Sequence, residues 1–476
     1  MPGFANSALN HDPDSMHEVC LTLMNGTELN IVYLAGVIDI EETQTWVHAP
    51  FEVPAGVTQL RIQISYNDQI SSAPNVFGGN VLDVGVFDAY GTESGGRGFR
   101  GWSGSDRLDI VIGEEWSTPP YTAGPLPGGT WNLLLGPYKV GPNGLEWSAK
   151  IEFDPEPVLP NMFVIPDVGM PESPDDLPAA LPGWFRGDLH AHTVYSDGSS
   201  YPAQVAAAAK SAGLDFYGIT DHNRAQSPTS LVPTGPGWPL LVPGVEVTTY
   251  AGHFNVWGTD KWYDFRDPTA EGLQCAVDSA IADGGFVSIN HPKPFGPPWE
   301  FPEVQGFEAI EVWNGWWNKL NSVSTRTWNE CLQRGERIAP LGGSDMHRLH
   351  GPTSDDNPFV PAALGYPTTW IHTEGELTAD TIFSAIRNGR VVISESPTGP
   401  QIDAKLEEQT LRVRVLGARG DAMLVIDQTG VIHASAIGSE DQECELDVSD
   451  DSTYVRIEIH RATGGIRALT SAFWIV

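Results

Sequence analysis

Hydrophobic and polar positions change rhythm twice along the chain. Up to about residue 160, short apolar runs alternate with Gly, Pro and Asn: "LRIQISY", "VLDVGVFDAY", "LDIVIG", "WNLLLGPY" and "LEWSAKIEF". Runs this short, rich in β-branched and aromatic residues and punctuated by turn formers, predict a β-sandwich over 1–160. The stretch 154–183 is proline-rich and acidic and carries no periodic apolar face, so 161–183 reads as a semi-rigid linker.

From Trp184 the period lengthens. "YPAQVAAAAKSAGL" predicts a helix, with Ser200 as N-cap and Pro202 in its first turn. Helical patterns recur in "EGLQCAVDSAIADG", "STRTWNECLQRG" and "LTADTIFSAIRNG". Strand patterns alternate with them in "FRGDLHAH", "FYGITDH", "GVEVTTY", "FVSINH", "FEAIEVWN", "RIAPLGGSDMH" and "RVVIS". The alternation predicts parallel β/α units over 184–396, with enough strands for a distorted (β/α)7 barrel. From Pro397, "LRVRVLG", "AMLVIDQTG", "YVRIEIHRA" and "SAFWIV" predict a small C-terminal β domain over 397–476. The expected fold class is therefore multidomain α/β plus β.

Length and composition agree with this division. A chain of 476 residues exceeds one ordinary core, and 51 Gly with 38 Pro suit many short strands. The net charge of −35 repels nucleic acid and anionic lipid, leaving a small molecule as the expected partner and the oligomeric state open. Cys20, Cys275, Cys331 and Cys444 form no CxxC and read as isolated thiols. The first residues show no secretory pattern and no window approaches a membrane span, so a cytoplasmic location is the expectation.

The strand ends carry the chemistry. His190 and His192 end one strand, and Asp221 and His222 end the next. Glu246 and His253 lie in and after the third, His291 ends the fourth, and Asp345 and His347 end a later one. In a β/α barrel those ends converge on one face, where active sites are built. H-x-H and D-x-H place both side chains on one side of the pleat. Imidazole with carboxylate and no thiolate suits Zn²⁺, Mn²⁺ or Fe²⁺, and this many donors suits two or three ions. Such ions would activate a bridging hydroxide for hydrolysis.

"DLHAHTVYSDGS", "GITDHN", "GVEVTTYAGHFNVWG", "INHP" and "GGSDMH" together resemble the motifs of the PHP superfamily, named for polymerase and histidinol phosphatase. The wording of the third motif and the flanking β domains resemble the carbaryl-hydrolase-like (CehA/McbA) branch. The resemblance implies a distorted (β/α)7 barrel and a metal-dependent hydrolase with two or three metals. It places His190, His192, Glu246 and Asp345 on one metal, and Glu246, His253 and His291 on a second. His222, His347 and Asp197 fall on a third, where some relatives carry histidine in place of Asp197.

A phosphoesterase acting on a small phosphomonoester or phosphodiester is the reading preferred. A carbamate, ester or amide hydrolase with the same metals is the alternative, and a non-catalytic glycan-binding protein the third. Asp221, His222 and Arg224 are the catalytic candidates. Arg224 and Lys293 would hold a phosphate, and Trp313 and Asn314, with Trp316 and Trp317 in the same run, would line a pocket. Trp102, Trp131 and Trp147 would be the sugar platform of the third reading.

Overall fold

The computed structural model describes residues 30–73, 75–155, 169, 172, 177–294, 297–349 and 362–475. Cys20 and most of the expected linker lie outside the described residues. No described helix is long and apolar enough to cross a membrane.

The N-terminal strands form two four-stranded antiparallel sheets. One runs Ile31–Ile38, Leu145–Phe153, Gln59–Tyr66, Asp109–Gly113 in spatial order. The other runs Val47–Val53, Gly129–Lys139, Val81–Phe87, Phe99–Gly104. Their alternating inward residues, among them Leu60, Ile62, Val84, Leu133 and Ile151, bury one shared core. Trp131 and Trp147 belong to that core, and Trp131 Nε1 donates to the Pro127 carbonyl. Neither tryptophan is a sugar platform, because neither ring faces solvent. The outer face of the second sheet is apolar as well. Phe87, Phe99, Trp102 and Leu134 pack against Val245, Val247, Phe254 and Phe265 of the central region.

The central region is a rolled sheet of nine strands, numbered here from Trp184. They are β1 (Trp184–Asp188), β2 (Phe216–Ile219), β3 (Leu240–Thr249), β4 (Gly252–Trp257), β5 (Phe286–Ile289), β6 (Ala309–Asn314), β7 (Ala339–Gly343), β8 (Thr368–His372) and β9 (Val391–Ser394). Their order is β7-β6-β5-β4-β3-β2-β1-β8-β9. The roll brings β7 against β8, where Thr369 Oγ1 accepts from Gly342 N and donates to Gly342 O.

Among the described residues the expected seven β/α repeats are not complete. Among the described residues there are four α-helices: α1 (Pro202–Ser211), α2 (Ala270–Ala282), α3 (Asn321–Gln333) and α4 (Ala379–Arg387). Each falls on a helix-period stretch, but β3 and β4 form an antiparallel hairpin, and "SPTSLVPTGPGWP" between β2 and β3 has too many prolines and glycines for a helix. The α1 N-cap is Tyr201 rather than Ser200, with Pro202 at the first helical position and Gln204 Oε1 accepting from Tyr201 N.

The C-terminal strands extend the same sheet. β9 pairs antiparallel with Ile466–Thr470, which pairs with Tyr454–His460, then Ala422–Asp427 and Gly430–Ala436. A separate three-stranded sheet, Gln401–Glu407, Thr410–Leu416 and Asp441–Asp447, packs onto it. Their core includes Trp184, Trp370 and Val392 of the rolled sheet.

Candidate metal centre

The ends of β1, β2, β3, β5 and β7 meet at one mouth. Backbone pairing continues past the strands to hold them there. His192 N donates to Met346 O and Asp345 N to His190 O, each at 2.9 Å, while His222 forms a parallel bridge with Glu246. Two of the turns are tight: His291 has φ 26° and Asp345 φ 53°. Left-handed conformations at non-glycine residues cost about 1–3 kcal/mol each and persist where the surroundings impose them.

Four groups of ligand atoms form at this mouth, the atoms of each lying within 4.8 Å of one another. They are His190–His192–Asp345, His190–Glu246–His291, His222–Glu246–His253 and His192–Asp197–His222–His347. Together they contain the nine residues read from the sequence as ligands. The partition differs in detail. Glu246 falls in two groups as expected, but with His190 and His291 in one and with His222 and His253 in the other, and His192 also faces the group that holds Asp197. The His192 ring lies between those of His222 and His347, with centroids 4.3 and 4.2 Å away. Asp197 Oδ1 is 3.2 Å from His347 Nε2 and 3.5 Å from His222 Nε2.

Hydrogen bonding decides which nitrogens face inward. His190 Nδ1 is 3.0 Å from Glu311 Oε1. An ionised carboxylate only accepts, so this nitrogen carries the proton and Nε2 presents a lone pair. Ser196 Oγ donates to Asp221 Oδ1 at 2.8 Å and therefore accepts from His192 Nδ1 at 3.3 Å, which frees His192 Nε2 in the same way. The two free Nε2 atoms stand 3.1 Å apart. Glu246 Oε2 lies 3.5 and 3.4 Å from them, and Asp345 Oδ1 3.4 and 3.0 Å.

In these tautomers two imidazole nitrogens and two carboxylate oxygens converge, and His222 Nδ1 stands 2.8 Å from the same Glu246 Oε2. Glu246 Oε2 and His291 Nδ1 are buried without a hydrogen-bond partner. Burial alone disfavours a charge on His190, yet the carboxylates of Glu311, Glu246 and Asp345 raise its pKa well above the usual imidazole value. The site's field calls for a cation, and the donor set fits divalent metal ions.

A layer of positioning residues surrounds the candidate ligands. Glu311, on β6, uses Oε2 to accept from His291 N and Asn314 Nδ2, both at 3.1 Å, so one carboxylate orients His190 and the β5 turn together. Asp221, a catalytic candidate by sequence, is occupied otherwise: its oxygens accept from Thr193 N, Thr193 Oγ1 and Ser196 Oγ. It pins the loop that carries His192 and Asp197. Neither Glu311 nor this use of Asp221 is legible in the sequence, beyond the oddity of a glutamate inside the apolar run "AIEVWN".

The expected substrate contacts fare differently. Arg224 is buried, with Nε donating to Gly244 O and Nη1 to Asp260 Oδ1, so it ties the end of β2 to β3 and does not reach the mouth. Lys293 is also buried, donating to Asn314 O at 2.9 Å and Asn321 Oδ1 at 2.7 Å. Trp313 packs in a core with Ile310, Trp328 and Leu469, and donates Nε1 to Gly315 O. Asn314 holds Glu311 and the turn after β6. Trp316 is buried beside Tyr366, and Trp317 packs edge-on against Trp313. These side chains build the wall of the mouth from behind.

The N-terminal sandwich contributes to the mouth directly. Trp102 stands edge-on to His222, with ring centroids 6.3 Å apart. Arg107 Nη1 donates to Ser196 O at 2.5 Å. Asp83 Oδ2 accepts from Tyr250 OH at 3.0 Å, and burial raises the Asp83 carboxyl to about 7. By sequence Trp102 is a candidate for the sugar platform and nothing links it to the ligands. Its place on the metal centre depends on the docking of two domains, which no local pattern encodes.

No family model matches this chain, and no curated protein matches it. Among solved structures it is similar to a two-domain protein from Bacteroides vulgatus described as containing a predicted PHP-like metal-dependent phosphoesterase. The identity is 18%, over 65% of this chain and 99% of that one, with a TM-score of 0.36. A metal-dependent phosphoesterase from Bifidobacterium adolescentis matches at 14% identity, over 42% and 94%, with a TM-score of 0.27. An amidohydrolase from Chromobacterium violaceum, with bound sulfate and no metal, matches at 16%, over 44% and 98%, with a TM-score of 0.27. At such TM-scores the likenesses carry no argument about this chain.

Proposed function

We propose that the chain is a metal-dependent hydrolase of the PHP superfamily, in its carbaryl-hydrolase-like branch, acting on a small phosphomonoester or phosphodiester. The observation that carries this reading is the convergence of His190 Nε2, His192 Nε2, Glu246 Oε2 and Asp345 Oδ1, the two nitrogens 3.1 Å apart and each within 3.5 Å of both oxygens. A buried set of acceptors is stable only around a cation. Two or three divalent ions, Zn, Mn or Fe, would be held by His190, His192, Asp197, His222, Glu246, His253, His291, Asp345 and His347. Bound there, such ions supply an activated water and polarise a phosphoryl or carbonyl oxygen. The protein's own part is positional. Glu311 and Ser196 fix the imidazole tautomers, Asp221 fixes the loop, and Trp102 and the β6 turn limit water at the mouth.

The test combines metal analysis with two substrate classes. Protein purified without chelator is expected to carry two or more metal equivalents. It is expected to cleave p-nitrophenyl phosphate or bis(p-nitrophenyl) phosphate, with activity lost on chelation and restored by metal. Cleavage of 1-naphthyl carbamates alone would move the assignment to the carbamate, ester or amide class with the same metals. Metal-free protein whose properties His190→Ala leaves unchanged would overturn both.

A further inference from the structure

The turn after β6 holds a cation beside the strand end that leads to Asp345, and neither the motifs nor the ligand set includes it. Asn314 N donates to Asn321 Oδ1 at 2.9 Å, and Asn321 Nδ2 donates to Asn314 O and Trp316 O. Gly315 N donates to Gly343 O at 2.9 Å, tying the turn to β7 two residues before Asp345. Gly315 (φ 60°) and Leu320 (φ 59°) are both left-handed and fold the segment back on itself. Lys319 N donates to Trp316 O, and the lysine side chain lies along the turn. A Cβ at Gly315 would fall 3.3 Å from both Lys319 Cδ and Lys319 Nζ. Glycine at 315 thus leaves room for the lysine stem.

Lys319 is half-buried, unlike Arg224 and Lys293. Burial lowers its pKa, and the Asp345 carboxylate raises it. Lys293 lies behind, bonded to Asn314 O of the same turn. An amine on this rigid turn makes a positive wall beside the candidate ligands within a chain of net charge −35. A neutral substrate gains nothing from such a wall, whereas an anion does.

We propose that Lys319 contacts the non-bridging oxygens of an anionic phosphoryl group bound at the metal centre, and so selects phosphoesters over neutral esters and carbamates. This rests on the hydrolase reading and names its substrate class. A charge-assisted hydrogen bond contributes about 1.5–3 kcal/mol, which corresponds to roughly 10–100-fold in affinity.

The test measures inorganic phosphate binding by calorimetry on metal-loaded protein, beside metal content and kinetics on p-nitrophenyl phosphate and p-nitrophenyl acetate. Lys319→Met is expected to weaken phosphate binding at least about tenfold and to raise KM for the phosphate ester similarly, with kcat changed far less. Metal content and KM for the acetate ester should stay as in the wild type, and Lys319→Arg should keep most of the phosphate affinity. Unchanged phosphate affinity in Lys319→Met would overturn the proposal, as would an equal rise in KM for both esters. Wild-type protein that cleaves no phosphate ester would count against the phosphoesterase reading instead, because the calorimetry reads Lys319 without turnover.

Discussion

Single residues show how far chemistry can be read before geometry. All nine proposed ligands were legible, because imidazole and carboxylate rarely recur at successive strand ends without an ion to hold. The residues that aim them were not. Glu311 looks like an odd glutamate inside an apolar strand until it is seen holding His190 Nδ1, His291 N and Asn314 Nδ2. Arg224 and Lys293 mislead for the converse reason. A cation beside a ligand motif suggests a substrate contact, yet both are spent on backbone carbonyls and neighbouring side chains. Glu311→Gln keeps the volume and removes the charge that fixes the His190 tautomer. Metal affinity is expected to fall about 10–100-fold, read as metal retained after dialysis against graded chelator. Retention equal to the wild type would show that His190 needs no carboxylate behind it.

Secondary-structure elements carry the site through close approach. The four helices were legible from their 3.6-residue periods, whereas the hairpin of β3 and β4 was not, because its two apolar runs also read as buried parallel strands. Where β7 passes the centre, Gly343 admits no side chain. A Cβ there would run into Glu311 Oε1 and lie 2.6 Å from His190 Cβ. Gly343→Ala should therefore push β7 away from β1 and part Asp345 from His190 and His192. The expected result is a folded protein, by circular dichroism, with less than half the wild-type metal content. Full metal content in this variant would mean that the Glu311 and His190 side chains yield without disturbing the centre.

The whole molecule is less divisible than its sequence pattern. Boundaries at 160, 184 and 397 follow real changes of rhythm, but packing crosses them. The sandwich shares a core with β3 and β4 and places Trp102 on His222, while the C-terminal strands continue the central sheet through β9. These couplings were not legible because they come from pairing between distant strands, and a period reports only its own strand. A chain ending at residue 396 would expose the backbone edge of β9 and the apolar faces of Trp184, Trp370 and Val392. Such an edge is a template for aggregation. The truncated chain is expected in the pellet on expression, with the full chain in the supernatant. A soluble, monomeric, metal-loaded truncation would show that the rolled sheet stands alone.

The pairing of β9 with Ile466–Thr470 also sets an order in time. A ribosome delivers β9 well before its partner strand, and at about 5–20 residues per second the wait lasts several seconds. Throughout that interval every proposed metal ligand has already emerged, while the sheet that positions them still has a bare edge. A nascent chain of this design stays exposed to misassociation until Ile466–Thr470 has been translated.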